Sequence, residues 1–556
     1  MHDCSGSLIT TPSSTRWSAM ECILDYLVKR ASAKEILLCV MEQLERAGAD
    51  EMFQMLCGHL KRTLIRLPAK RADASFRNAL TAVLSYIRRL PSVPDYQLDS
   101  DETALVENCP VTKRHVECVN AALQFCDIFL VEATTDQHKF TGAQRQLQRR
   151  HLAVFLLHLL QYPVSCLEFD PAKMHLNVAA LRLAHDLVSA VARVLPNLFW
   201  TVAQQWQMFD FRAMKSPLGN SHCGDIANDE GNGEPADADP FDGAPLAGAG
   251  VLTWVYLSWP PATSRDRVIT STCCSVYAAS YQLCQLAPFA ASLARHATQL
   301  HACHGQHSSV ASKAVRLLSA LVRPVAECSL EAELFRSDLC QNLFTAVVDL
   351  LYATRAPSLS SECAAAIGAF IERFTAEGRI AIVCYCIEQT RRSSDASTEQ
   401  QALFAGWLLD RYRHWLHCNR PTYASHLHTV LHRCCRLESN ETSDVLAQWS
   451  RHSATLQLVR YAALLAATTD ACADIERHFV RSYRAQLELN YLQPLGRAIE
   501  LSRAHYRLQL ANLNDTHKNT DVWNETKRDW LAAAVNRFDM LALQLSDVNT
   551  AFRLCR

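Results

Sequence analysis

Apolar side chains return at three- and four-residue steps through most of the 556-residue chain, a spacing that stacks them along one face of a helix. "ECILDYLVKRASAKEILLCVMEQLERA" (21–47) reads as two helices, with Ser32 placed to cap the second and Glu35 three residues on to complete a capping box. Helical patterns follow at 50–67 and 72–90, closed by "PSVPDY", where Pro91 and Pro94 cannot continue a helix. They recur at 113–133, 145–162 and 176–201, and resume at 251–259 with "VLTWVYLSW". The later series comprises 267–298, 308–324, 330–353, 358–374, 377–391, 399–418, 421–437, 452–468, 471–511 and 523–547. Leu343, Val347, Leu350 and Leu351 illustrate the stripe, and Pro357 marks the turn before the next helix. A spacing of ~35 to 45 residues per helix pair fits the HEAT and armadillo class, in which each pair buries its apolar faces against its neighbours. The fold class predicted is therefore all-α, a HEAT/armadillo-like helical-repeat solenoid without a strict repeat consensus.

Residues 214–250 break the rhythm. From 221 onward the segment has seven acidic residues and no lysine or arginine, with glycine and proline scattered through it. Such a composition buries too little apolar surface to offset its ordering entropy and reads as a disordered acidic linker. It divides the chain into helical repeats at 17–213 and 251–556.

Composition narrows the class further. Only 16 residues are glycine, below the roughly 7% average, and β-rich and Rossmann-type folds use glycine for tight turns and phosphate loops. Lysine plus arginine total 55 against 56 aspartate plus glutamate, so the net charge of −1 offers no broad electrostatic footprint for nucleic acid. The best apolar run, "LAVFLLHLL" at 152–160, is shorter than the ~20 residues that cross a bilayer. The amino terminus has no basic-then-apolar secretory signal. The 23 cysteines form no Cys-x-x-Cys pair, and Cys22, Cys39, Cys118, Cys126 and Cys340 sit in apolar helical context, as small hydrophobes do in a reducing compartment. These features predict a soluble protein of the cytoplasm, with the nucleus a second location, that meets neither membrane nor nucleic acid.

Candidate chemistry is sparse. The sequence contains no phosphate-binding glycine loop, no G-x-S-x-G elbow and no His-Glu-x-x-His zinc helix. "HACHGQH" places His301, Cys303, His304 and His307 within seven residues, but ligands this close on one short turn rarely converge on one ion, and the expected reading is a polar loop with no metal and no cofactor. "CYC" (384–386) and the "CC" pairs (273–274, 434–435) read as packed helical cysteines. Residues 405–437 differ. They carry Arg411, Arg413, Arg420, Arg433 and Arg436 with five histidines, interleaved with Trp407, Tyr412, Trp415 and Tyr423, and Asp410 is the only acid. Arginine beside aromatic side chains is the composition of interface hot spots, and equally of a solvated helix face over buried tryptophans.

"LQLVRYAALLA" (456–466) followed by "NYLQPLGRAIELSRAHYRLQLAN" (490–512) resembles the carboxy-terminal signature of the glomulin family, a Leu-Leu-Arg-Tyr-Leu helix and then Asn-Phe-Leu-x-Pro-Leu…Ser-Lys-Ala-His-Tyr. Tyr491 stands for the phenylalanine and Arg503 for the lysine. Similarity extends to 24–45, 83–96, 378–390 and 408–416, and family members begin with additional helices, which this chain is expected either to lack or to start after. The resemblance implies a non-enzymatic inhibitor of cullin-RING ubiquitin ligases whose carboxy-terminal half binds the RING domain of the RING-box subunit and masks its conjugating-enzyme site. An immunophilin is a further implied partner. Carried onto this chain, the inhibitory face comprises Arg411, Arg413, Arg460, Tyr461, Arg503, His505 and Tyr506, although periodicity also places Tyr461 and Tyr506 where a core residue belongs. The alternative is a general helical-repeat adaptor with a different protein partner.

Overall fold

A computed structural model describes residues 13–67, 69–94, 106, 108–134, 141–171, 177–195, 245–258, 278–304, 308–354, 356–392, 398–437, 445–467, 483–516 and 522–554. Among them are twenty α-helices and no strand, only an isolated parallel bridge between Leu330 and Phe374. The chain is all-α, consistent with stacked helical repeats. Two compact units divide it, Met1–Val325 with Asn342–Ala369, and Ala326–Gln341 with Phe370–Arg556.

The first unit contains α1 (Ser13–Arg30), α2 (Ala33–Glu45), α3 (Asp50–Ile65), α4 (Ala69–Arg88), α5 (Pro110–Thr134), α6 (Gly142–Gln161), α7 (Val178–Val194), α8 (Leu246–Ser258), α9 (Ala279–His304) and α10 (Ser308–Val322). From α1 to α8, odd and even members form two rows. Arg62 pairs with Asp25 and Arg66 donates to the carbonyl of Ala31, so α1 and α3 run in the same direction. Arg114 grips Asp50 at 2.7 and 2.9 Å and Lys61 donates to the carbonyl of Gln124, so α3 and α5 do likewise. In the other row Arg89 at the end of α4 reaches the carbonyl of Leu44 on α2, and Arg88 meets His158 of α6. Neighbouring α6 and α8 approach so closely that a Cβ on Gly248 would lie 1.9 Å from the carbonyl oxygen of Leu157, a contact only glycine permits. This crowding explains why "LAVFLLHLL" shows no polar face. Every residue of it except His158 is buried.

A buried ammonium holds the turn after α6. Lys313 on α10 is 2% exposed and donates to the carbonyls of Ser165 (2.8 Å) and Leu167 (2.6 Å) and to the hydroxyl of Ser309 (2.5 Å). Its Nζ also lies 4.7 Å from the Phe169 ring centroid. Burial pushes the ammonium down to about 8, with the Glu168 carboxylate opposing the shift.

The second unit begins with α11 (Ala332–Arg336); α12 (Asp338–Ala353) and α13 (Pro357–Glu372) pass through the stretch at which the two units divide. The series continues with α14 (Ala376–Arg392), α15 (Thr398–Cys418), α16 (Arg420–Ala424), α17 (Leu427–Cys434), α18 (Trp449–Ala467), α19 (Gln493–Thr516) and α20 (Val522–Leu554). Side-chain bonds between these helices repeat at a nearly fixed chain interval. Arg379 reaches Tyr423 and Arg413 reaches Gln457 across 44 residues, and Arg433 reaches Glu388 across 45. His417 meets Tyr461 at 3.1 Å, again 44 residues apart, so α15 and α18 are parallel.

Several expectations change. Ser32 occupies the N-cap of α2 but makes no side-chain capping bond; the capping box forms instead at Thr141 and Gln144, at the start of α6. Cys22 and Cys39 are exposed rather than packed, whereas Cys118, Cys126, Cys340, Cys386, Cys434 and Cys435 are buried as expected. The patterns at 330–353 and 421–437 each split into a short and a longer helix. Pro494 lies in the first turn of α19. A π-turn at Glu488–Leu492 precedes it, and the wider turn makes room for a ring that would clash with an α-helical carbonyl. Of the expected linker, residues 214–244 lie outside the described residues, as do Cys273 and Cys274, but its last five, 246–250, open the buried helix α8. The side chains of Cys303, His304 and His307 also lie outside the described residues.

Candidate functional site

The arginine- and aromatic-bearing stretch on α15 divides between two opposite faces. One face is structural. Glu372 at the end of α13 accepts from Arg379 (2.8 Å), Arg411 (3.0 Å) and the indole nitrogen of Trp415 (3.1 Å). Arg379 also donates to the Tyr423 hydroxyl and lies over the Trp415 ring, which stacks on Tyr423. Tyr412 is fully buried and donates to the Tyr423 carbonyl at 3.0 Å, and burial raises its phenol far above the ordinary range. Arg411 lies over Trp407. The guanidinium of Arg411 is thus engaged by Glu372 and Trp407 on this face, with its side chain 37% exposed.

The other face forms a groove of about 430 Å³ between α15 and α18, closed at one side by α20. Arg413, His414 and His417 come from α15, Gln457, Arg460, Tyr461 and Leu464 from α18, and Gln544 from α20. Helical phase explains the set, since 413/417 and 457/461/464 each recur at three- or four-residue steps. Gly406 lets the helices meet here, because a Cβ on it would stand 2.8 Å from the Ser450 carbonyl oxygen. Arg413 pairs with Asp410 at 3.1 Å and donates to Gln457; Arg460 pairs with Asp547 at 3.2 Å. Both guanidinium groups keep solvent access, at 37% and 51% of the side chain, and the two histidines are exposed. The groove can therefore offer planar hydrogen-bond donors to carbonyls or carboxylates at the cost of loosening weak surface pairs.

Of the seven residues drawn from the sequence, the structure brings Arg413, Arg460 and Tyr461 into this groove. It places Arg411 on the opposite face and the other three on α19. There Arg503 pairs with Asp539 at 3.3 Å, His505 is exposed beside Gln509, and Tyr506 packs against Trp530 and Phe538 of α20. Tyr506 is a packing residue, as periodicity alone suggested.

No model of a known protein family matches this sequence, and no curated protein matches it. Sequence reasoning missed His414, His417 and Gln457, which helical phase from Arg413 and Tyr461 could have supplied. Gln544 lay beyond reach, being set by the packing of α20 on α18 through the Trp449 indole to the Arg537 carbonyl (3.1 Å) and Gln544 to Ser453 (3.0 Å). Deeper on α18 the buried Arg451 lies beside a second pair. His452 meets the Tyr491 hydroxyl at 3.1 Å, with burial holding the imidazole well below its usual range and the phenol well above.

Proposed function

We propose that this protein acts without catalysis, by docking a protein partner on the α15–α18 groove and masking the surface it covers. The supporting observation is that Arg413, Arg460 and Tyr461, named from separate sequence segments, line one groove. Following the resemblance, the partner is the RING domain of a cullin-associated RING-box subunit, and the consequence is inhibition of ubiquitin transfer. Arginine and tyrosine in a partly enclosed groove are the residue types that dominate interface energetics. A titration of the full-length protein with a purified cullin and RING-box complex tests this reading. The double variant Arg413→Glu/Arg460→Glu is expected to bind at least tenfold more weakly, with a thermal midpoint nearly unchanged because both side chains face solvent. Equal affinity of variant and wild type would remove the groove from the site.

A second reading, a general helical adaptor, draws support from α19 and α20. Leu501 (73% exposed) and Leu508 (61%) lie seven residues apart on one face of α19, and Met540 and Leu543 are exposed on α20. Affinity capture from cell extract that returns neither cullin nor RING-box subunit favours this reading over the first.

A further inference from the structure

The first unit carries a polar groove that the function above does not use. It lies between the parallel helices α3 and α5 and encloses about 600 Å³. Buried Cys57 and Phe125 form its floor with Gly58 and Ala121, and Gln54, Lys61, Glu117, Asn120 and Gln124 form its walls. Gly58 is the telling residue. It sits in the interior of α3, where glycine costs about 1 kcal/mol relative to alanine. Unlike Gly248 and Gly406, it has no neighbour that demands it, for a Cβ there would meet nothing within 4 Å. Folding gives no reason for the missing side chain, whereas a ligand backbone approaching the helix does.

The walls indicate what approaches. Gln54, Glu117 and Gln124 are exposed and Asn120 is half-buried, so these side chains, which make no bond to the protein among the described residues, face water and are available to a ligand. An amide presents a donor and an acceptor together, the pair that peptide main chain requires. With one lysine and one glutamate the groove lacks the positive track that phosphate backbones need. Gln54 to Lys61 and Glu117 to Gln124 each span seven residues, about 10 Å of helix, which matches about three residues of extended chain.

We infer that the α3–α5 groove binds a short extended peptide segment of a partner protein, its main chain held by the three amides over Gly58 and a basic side chain held by Glu117.

The probe is a positional array of capped hexapeptides in which one lysine is walked through a background of serine, threonine and alanine, applied to the full-length protein. Binding is expected for peptides with the lysine near one position. It should fall at least tenfold in Gly58→Leu, which fills the groove from open space, and in Asn120→Ala/Gln124→Ala, whose side chains are not core. Glu117→Gln should remove the lysine preference while leaving residual binding. Absence of any binder, or binding unchanged in Gly58→Leu, overturns the proposal. Should Gly58→Leu alter the circular dichroism spectrum, the amide double variant decides, and its full retention of binding overturns the proposal equally.

Discussion

Replacing Glu372 with alanine tests whether the arginine and aromatic cluster on α15 is architecture or interface. The substitution removes the acceptor of three donors, Arg379, Arg411 and the Trp415 indole. Arg379 matters most, since its side chain is only 10% exposed and a hydrogen bond to a charged group contributes about 1.5–3 kcal/mol. It keeps the Glu372 backbone carbonyl at 2.8 Å and the Tyr423 hydroxyl at 3.2 Å, so the lower end of that range applies. The buried indole N–H adds about 1 kcal/mol when left unpaired. Arg411, at 37% exposure, is screened and adds less than about 1 kcal/mol. The expected loss is about 3 kcal/mol, or about 6–12 °C in the melting temperature of a unit this size. Glu372→Gln keeps one carbonyl acceptor and should lose about half as much, and Arg411→Ala no more than about 1 kcal/mol. Urea unfolding followed by circular dichroism supplies the measurement. A Glu372→Ala variant within about 1 kcal/mol of wild type would refute the structural role and return Arg411 to the interface.

Two further perturbations follow from the geometry. Gly406→Ala gains about 1 kcal/mol of helix propensity but forces a Cβ to within 2.8 Å of the Ser450 carbonyl, an overpacking of about 1–3 kcal/mol, so net destabilisation is expected in the same unfolding assay. Lys313 sits at about 8 where an exposed lysine has 10.5, so between those values the unfolded chain binds more protons and stability rises with pH, by at most about 1.4 kcal/mol per unit. Buried thiols such as Cys57 and Cys386, raised by burial, give the opposite slope over the same range, so the test is a difference: in melting curves from pH 7.5 to 10.5 wild type should gain stability relative to Lys313→Met, and parallel curves would exclude the effect.

The fold was legible because helical periodicity is a local signal, and among the described residues the long stripes lie on helices. What failed was also local. Ser32 has the residue type and position of a cap, but a capping bond needs a rotamer that the sequence does not encode. The π-turn ahead of Pro494 has no local signature; Tyr491 and Leu492 within it are buried, which ties it to tertiary packing. For the groove, Arg413 and Tyr461 were legible as arginine and tyrosine on helical stretches. Their meeting required the packing of α15 on α18 at Gly406, a tertiary contact to which a single sequence gives no key. Arg411, two residues from Arg413, faces the other way because two steps on a helix turn a side chain about 200°.

The interval of 44 to 45 residues that links Arg379 to Tyr423, Arg413 to Gln457 and Glu388 to Arg433 sets a rule for how the second unit can change length. Inserting two residues inside α15 between Gly406 and Arg413 would turn Arg413 about 200° away from Gln457 while leaving the Gly406–Ser450 contact in place. Changes of length in this unit are therefore expected to be tolerated in the connecting loops rather than inside α15 or α18.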